Sequence, residues 1–282
     1  MKRSSSTDRI LPVTSFNSGD VEEIAEGIYC YTVQIVNVFF IRNQANPNEW
    51  ILIDAGMPAS GGTILEKAEE LFGKDCKLKE IILTHGHFDH IGGIIDILEK
   101  QPVPVYAHPL EMPFLSGEKD YPKPDSSVEG GAVAKMSGTF PVEAIDISEY
   151  LHSLPEDGTI PMLSGWRWIH TPGHAPGHIS LFREQDRLLL AGDAFVTVQQ
   201  DSLYKVLTQK QEIHGPPVYL TTDWKASKAS VQTLANLRPV VAGTGHGSPV
   251  LGTELIEGLN RLAADFEELA VPDHGRFVDD KK

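Results

Sequence analysis

Residues 83–93 read Leu-Thr-His-Gly-His-Phe-Asp-His-Ile-Gly-Gly, placing three histidines and an aspartate within six positions between an apolar run and a glycine pair. Each of His85, His87, Asp89 and His90 is a metal-ligand type: neutral imidazole is the commonest protein ligand for transition metals, and a carboxylate oxygen is its harder companion. A lone histidine here would read as an ordinary polar residue. Four donors this close read as a metal site, and a solvated polar loop is the weaker alternative.

The rest of the chain supplies such strands. From Val21 the sequence is dense in β-branched and aromatic residues, and "GIYCYTVQIV", "NVFFIRNQ" and "WILIDAG" predict three consecutive antiparallel strands. In residues 61–72 the positions Ile64, Leu65, Ala68, Leu71 and Phe72 keep helical spacing, and Gly73 follows as a C-cap. "EIIL" predicts a short strand leading into the histidine stretch, "IGGIIDILEKQ" a helix and "VPVYAHP" another strand. Residues 113–141 are rich in Pro, Gly and Ser and read as an irregular excursion. Further strands are expected at "EAIDI", "WRWIHT", "HISLFRE", "RLLLAGD" and "PVVAGT", with helices near 223–237 and 252–270. Strands precede helices in both halves, a pattern that predicts two sheets face to face with helices outside, a four-layer α/β sandwich. The expected organisation is a loose leader over residues 1–18, one domain over 19–272 and a polar tail over 273–282.

Composition narrows the partners. The 282 residues carry 39 acidic against 24 basic groups, a net charge of −15, which argues against nucleic acid or an anionic membrane as partner and leaves a small-molecule substrate. Oligomeric state is not legible. Cys30 and Cys76 are too few for a disulfide framework and form no C-x-x-C pair, so they read as buried thiols in a reducing compartment. Neither a signal peptide's apolar core nor a membrane-length apolar run is present, and the expected location is the cytoplasm.

Ligand types recur after later apolar runs: His170, His174 and His178 in "WRWIHTPGHAPGHISLF", Asp193 in "LLLAGDAF" and His246 in "VVAGTGHGS". Loops at strand ends are where α/β folds assemble sites, so these positions are expected to converge. In this order, "HGHFDH", "TPGH", "AGD" and "GTGHG" resemble the motif series of the metallo-β-lactamase superfamily, over about residues 22–270. "SLYKVLTQKQEIHGPP" is further similar to cytoplasmic Bacillus-type metallo-hydrolases. The resemblance implies an αββα sandwich holding two divalent ions, with His85, His87 and His174 on one, Asp89, His90 and His246 on the second and Asp193 bridging. The chemistry suits that split, since histidines at i and i+2 of extended chain point the same way while Asp89 and His90 follow the turn. Zinc is the default for a His-rich set, and iron, manganese or cobalt also suit it. His178 reads as a hydrogen-bonding residue behind the ligands, and Asp54, at the end of "LIDAG", as one that orients a ligand histidine or caps backbone. His108 and His170 read as structural or cleft-lining, while His152, His214 and His274 carry no ligand signal.

Such a site implies a hydrolase in which a metal-bridging hydroxide attacks a small ester, lactone or thioester carbonyl, with Asp89 holding the nucleophile or moving its proton. Lactonases of the family carry a tyrosine three residues after the bridging Asp, where this chain has Val196; Tyr204 lies further along and is the candidate substrate contact. It belongs to a connection from Phe195 to Asp223 that is expected to wall the cleft, with residues 113–141 opposite. Glyoxalase II has a longer C-terminal helical region, secreted β-lactamases carry export signals, and the nucleic-acid-processing branch has basic surfaces or added domains. A single-iron persulfide dioxygenase using the first-metal ligands is the alternative from another enzyme class. A metal-binding protein without activity is the third.

Overall fold

The computed structural model describes Met1, Ser15 and residues 17–128, 131–198 and 211–278. Most of the expected leader, the end of the expected tail, and Tyr204 with Leu203, Val206 and Leu207 therefore lie outside the described residues. Two compact units divide the chain, one containing Ser18–Tyr121 and Pro141–Ser164, the other Pro122–Phe140 and the chain from Gly165 onward.

The first unit is built on a seven-stranded sheet whose spatial order follows the chain: β1 (Val21–Ala25), β2 (Ile28–Val33), β3 (Val36–Arg42), β4 (Glu49–Ile53), β5 (Lys77–Ile82), β6 (Val105–Ala107) and β7 (Leu151–Ser153). Short turns keep β1 to β4 antiparallel. Pairing becomes parallel from β4 to β7 because helical crossovers intervene: α1 (Gly61–Phe72), then α2 (Phe88–Ile91) and α3 (Ile94–Lys100). The apolar stripe of α1 and the buried isoleucines of α3 close one core with Tyr31, Phe40 and Trp50. Gly73 ends α1 at φ 95°, as its spacing predicts. β1 was not anticipated as a strand. The reading of "EAIDI" as a strand is corrected: Ile145 and Ile147 donate their amides to the carbonyls of Phe114 and Leu115, at 3.2 and 2.9 Å, so the segment ties to the end of α4 (Met112–Leu115) with a single bridge, Ser116 to Asp146.

The predicted helix after the histidine stretch is two helices, broken at Gly92 and Gly93. There the chain meets the exit of β4: the Ala55 amide donates to the His90 carbonyl at 2.6 Å, and the Gly92 and Gly93 amides to Gly56 and Ala55 carbonyls at 2.7 and 3.0 Å. A Cβ on Gly92 would stand 2.1 Å from the Pro58 nitrogen, and one on Gly93 would stand 2.6 Å from the Ala55 oxygen. The glycine pair thus lets two backbones touch, which pins the histidine loop to the end of β4.

The second unit carries a five-stranded sheet of order β14-β13-β10-β9-β8, from β8 (Trp166–His170), β9 (Ile179–Arg183), β10 (Leu188–Leu190), β13 (Val241–Gly243) and β14 (Val250–Leu251). A separate hairpin pairs β11 (Val196–Val198) with β12 (Gln211–His214). Its core takes Phe182, Leu189, Val231 and Leu234 from β9, β10 and α6 (Trp224–Asn236), and Leu255, Leu259 and Leu262 from α7 (Gly252–Ala264). Asp223 caps α6 by accepting the Ala226 amide at 2.8 Å. The last predicted helix breaks at Asp265 into α7 and α8 (Phe266–Leu269). The excursion at 113–141 contains most of α4 and all of α5 (Gly131–Ser137). Among the described residues no helix is long and apolar enough to cross a membrane.

Two stability predictions follow from these contacts. Gly92→Ala must force two backbones apart and should lose about 1–3 kcal/mol in urea unfolding, whereas Gly138→Ala, with no atom within 4 Å of its Cβ, should stay within about 0.5 kcal/mol of the parent. Glu80, 2% exposed in β5 opposite Ile51, has its carboxyl pushed by burial from 4.5 to about 8. The folded chain therefore holds a proton that the unfolded chain releases, and stability falls as pH rises from about 4.5 to about 8. Glu80→Gln should remove that decline, with its advantage over the parent widening from pH 5 to pH 8 in denaturant titrations; a constant gap would count against a neutral buried carboxyl.

Candidate metal centre

In the first unit β4 and β5 are parallel neighbours, so their C-terminal ends lie at the same edge, and the Asp54 amide donates to the Ile82 carbonyl at 2.9 Å. Asp54 leaves β4 with φ 60°, a left-handed conformation that aspartate tolerates better than most residues. It is 1% exposed. Its Oδ1 accepts the Thr84 amide at 2.7 Å, and its Oδ2 accepts the Thr84 hydroxyl at 2.8 Å and contacts His90 Nδ1 at 2.8 Å.

These contacts assign the imidazole protons. A carboxylate only accepts, so His90 carries its proton on Nδ1 and donates it to Asp54. Thr84 spends its single hydroxyl proton on the same carboxylate, so its 3.0 Å contact with His85 Nδ1 is donated by the imidazole. With Nδ1 of each ring committed to Thr84 or Asp54, Nε2 is the atom that a metal would take. His85, His87, Asp89 and His90 are all buried, with the ring of His85 4.6 Å from that of His87 and 4.2 Å from that of His90. The four sequence-predicted residues of this stretch are therefore together, and Asp54 orients His90 as expected. The role of Thr84 was not anticipated.

The second unit repeats the device. β10 and β13 are parallel neighbours, and at their shared end the Gly245 amide donates to the Gly192 carbonyl at 2.8 Å, setting Asp193 beside His246. His174 Nδ1 meets the Thr221 hydroxyl at 3.2 Å, and that hydroxyl donates to the Pro217 carbonyl at 2.8 Å, so the imidazole donates from Nδ1 and Nε2 is the atom that a metal would take. His178 Nε2 instead accepts the Asp193 amide at 2.8 Å. Its Nδ1 proton goes to Thr171, whose hydroxyl passes to Ser180 and on to the Ala191 carbonyl. His178 is thereby committed to the backbone that carries Asp193, the hydrogen-bonding role read from the sequence.

The spacing in this unit tests whether a metal fits. His174 Nε2 and His246 Nε2 each lie 3.4 Å from Asp193 Oδ2. A charge-assisted hydrogen bond would be shorter, about 2.7–2.9 Å. Two ligands bonded at about 2.0–2.1 Å to one tetrahedral ion stand about 3.4 Å apart. Two imidazole nitrogens and a carboxylate oxygen, deeply buried at the spacing of ligands on one ion, form a donor set that suits a cation. The residues fit divalent metal ions.

His108, His152 and His170 serve other ends: His108 Nδ1 accepts the Leu110 amide at 3.2 Å, His170 Nε2 faces the Pro176 carbonyl at 2.9 Å, and His152 lies beside the Tyr106 ring. Val218, Tyr219 and Leu220, expected to wall a cleft, pack in the core of the second unit, with Tyr219 edge-on to Phe140.

Comparison with known proteins agrees with this picture. The family model described as metallo-beta-lactamase superfamily matches residues 31–246. The "Probable metallo-hydrolase YflN" of Bacillus subtilis is 51% identical over 92% of this chain and 99% of its own length. "Hydroxyacylglutathione hydrolase GloC" of Haemophilus influenzae is 29% identical over 50% of this chain and 59% of its own. The structure of TTHA1623, solved in a di-iron-bound form, superposes with a TM-score of 0.52 at 24% identity, covering 81% of this chain and 92% of that one, a likeness of fold.

Because one carboxylate orients two histidines, Asp54→Asn should weaken metal binding by about 10–100-fold. Thr84→Val, which severs only the His85 branch, should give a smaller loss. Competition against a chromophoric chelator measures both; equal affinity in parent and Asp54→Asn protein would refute the assignment.

Proposed function

Because this chain belongs to the metallo-β-lactamase superfamily, we propose that it is a metal-dependent hydrolase of a small ester, lactone or thioester carbonyl. In this reading His85, His87 and His174 hold one divalent ion, Asp89, His90 and His246 a second, and Asp193 is shared. Zinc is the proposed ion, from the imidazole-rich donor set. The observation that carries the reading is that the buried imidazoles of His85, His90 and His174 donate from Nδ1, together with the 3.4 Å spacing of His174 and His246 Nε2 from Asp193. A hydrolase also agrees with the names of the probable metallo-hydrolase of Bacillus subtilis and the hydroxyacylglutathione hydrolase of Haemophilus influenzae.

When bound, the ions supply a Lewis acid for the carbonyl oxygen and lower the pKa of a bound water toward about 7. The chain supplies orientation and proton handling. Asp54, through its own contact and Thr84, keeps His90 and His85 in one tautomer. His178 fixes the Asp193 backbone. Asp89, 5% exposed in the first turn of α2, is the carboxylate proposed to accept the proton of the attacking water and return it to the leaving group. The acidic chain, at net charge −15, suits neutral or weakly charged acyl substrates better than polyanions.

Metal analysis of gently purified protein should approach two ions per chain, and a panel of lactones, glutathione thioesters, β-lactams and phosphodiesters should give turnover in the first two classes. Asp89→Asn, loaded with metal, should lose about 10²-fold or more in kcat with KM little changed, since an amide is a poor proton acceptor. Unchanged kcat would remove Asp89 from the reaction. A single iron with oxygen uptake on glutathione persulfide would replace the hydrolase with a dioxygenase.

A further inference from the structure

A second buried carboxyl group, that of Glu111, meets the backbone of the histidine loop at Gly86. Glu111 ends the 3₁₀ turn Pro109–Glu111 after β6 and is 0% exposed. A carboxylate this deep is costly unless its oxygens are satisfied by well-placed donors. Here Oε2 accepts the Gly86 amide at 3.0 Å and the hydroxyl proton of Tyr121. The same Gly86 amide lies 3.0 Å from the Tyr121 hydroxyl oxygen. Two side chains thus close on one amide, that of the peptide between His85 and Gly86, one residue before His87.

The tyrosine ring does a second job. It lies on the His87 ring, centroids 4.6 Å apart and inclined by 56°, while its other contact is a stack on Phe114 at 3.9 Å and 15°. The Tyr121 amide donates to the Val142 carbonyl at 2.9 Å, so the backbone beneath the ring is also held. Gly86 completes the fit, because a Cβ there would stand 2.9 Å from the Tyr121 hydroxyl and 3.3 Å from Leu115. His85 and His90 are oriented through Asp54; the ring of His87 is bounded by Tyr121 and His85.

We propose that Glu111 and Tyr121 are a positioning pair for the His85–Gly86–His87 turn, fixing the peptide through hydrogen bonds and the His87 imidazole through ring packing. Apolar residues would fill this space without burying a carboxyl group, so a carboxyl and a hydroxyl that both meet the Gly86 amide beside two donor histidines indicate that the angle of that peptide is what is being held. The proposal rests on the metal-dependent reading above, in that His87 faces an ion.

The test uses the full chain with cobalt(II) as probe, and the variants Tyr121→Phe, which keeps the ring and removes the hydroxyl, and Glu111→Gln, which keeps the shape and removes the charge. Each should bind cobalt about 10–100-fold more weakly in chelator competition and show an altered cobalt absorption band, with kcat reduced on any accepted substrate and KM within about threefold. Tyr121→Phe takes a donor from the buried Glu111 carboxyl and should lower the urea midpoint of the metal-free protein, so cobalt affinity and spectrum are read where both variants are fully folded. Cobalt affinity and spectrum equal to the parent in both variants would overturn the pair's role, even if stability fell. A parent that takes up no cobalt at all would instead overturn the metal-dependent reading beneath it.

Discussion

One buried carboxylate sets much of the chemistry of the first unit. Asp54 leaves a parallel strand in left-handed backbone, and its two oxygens receive the Thr84 amide, the Thr84 hydroxyl and the His90 imidazole. An aspartate is one of the few side chains that tolerates this backbone and can also saturate three donors. From it the tautomer of His90 follows directly and that of His85 follows through Thr84. Any replacement that could itself donate a proton would leave the ring protons unassigned, and with them the side of each imidazole that a metal could use.

The carboxylate works only because the surrounding backbone is fixed. Neighbouring parallel strands must end at one edge, and β4 and β5 are parallel because α1 crosses between them. The Gly92–Gly93 pair then allows the chain after His90 to lie against the exit of β4 at backbone contact distance. Stability and chemistry meet in those glycines: the close approach that a methyl group would destroy is the one that holds His90 over Asp54. The second unit reaches a similar result with different parts. Its parallel pair is β10 and β13, its proton-setting hydroxyls are Thr221 and Thr171, and a histidine, His178, grips the backbone of the aspartate.

Much of this was legible in one dimension. Alternation and β-branching marked β2, β3, β4, β8, β9 and β10, because short-range pleating and burial act on neighbouring residues. "EAIDI" misled for the same reason: its apolar alternation suits a strand, but it pairs through one bridge, Asp146 to Ser116, and the Ile145 and Ile147 amides go to the Phe114 and Leu115 carbonyls at the end of a helix. The break at Gly92–Gly93 was visible as a glycine pair, yet nothing local says that the loop after β4 fills the space. Thr84 and Thr171 each precede a histidine motif and could have been noticed. Glu111 and Tyr121 could not, since their partner, Gly86, is 25 and 35 residues away and is itself without a side chain.

By itself the sequence determined which residues have metal-ligand chemistry, that they follow apolar strands, and that the chain resembles a hydrolase superfamily; these depend on residue type and short spacing, which linear order preserves. Tertiary structure alone decided that His85, His90, His174 and His178 donate from Nδ1, and which carboxyl groups stand behind the histidine loop. Those choices turn on hydrogen bonds of about 3 Å between residues distant in the chain, and a hydrogen bond falls off too steeply with distance and angle for sequence spacing to specify it.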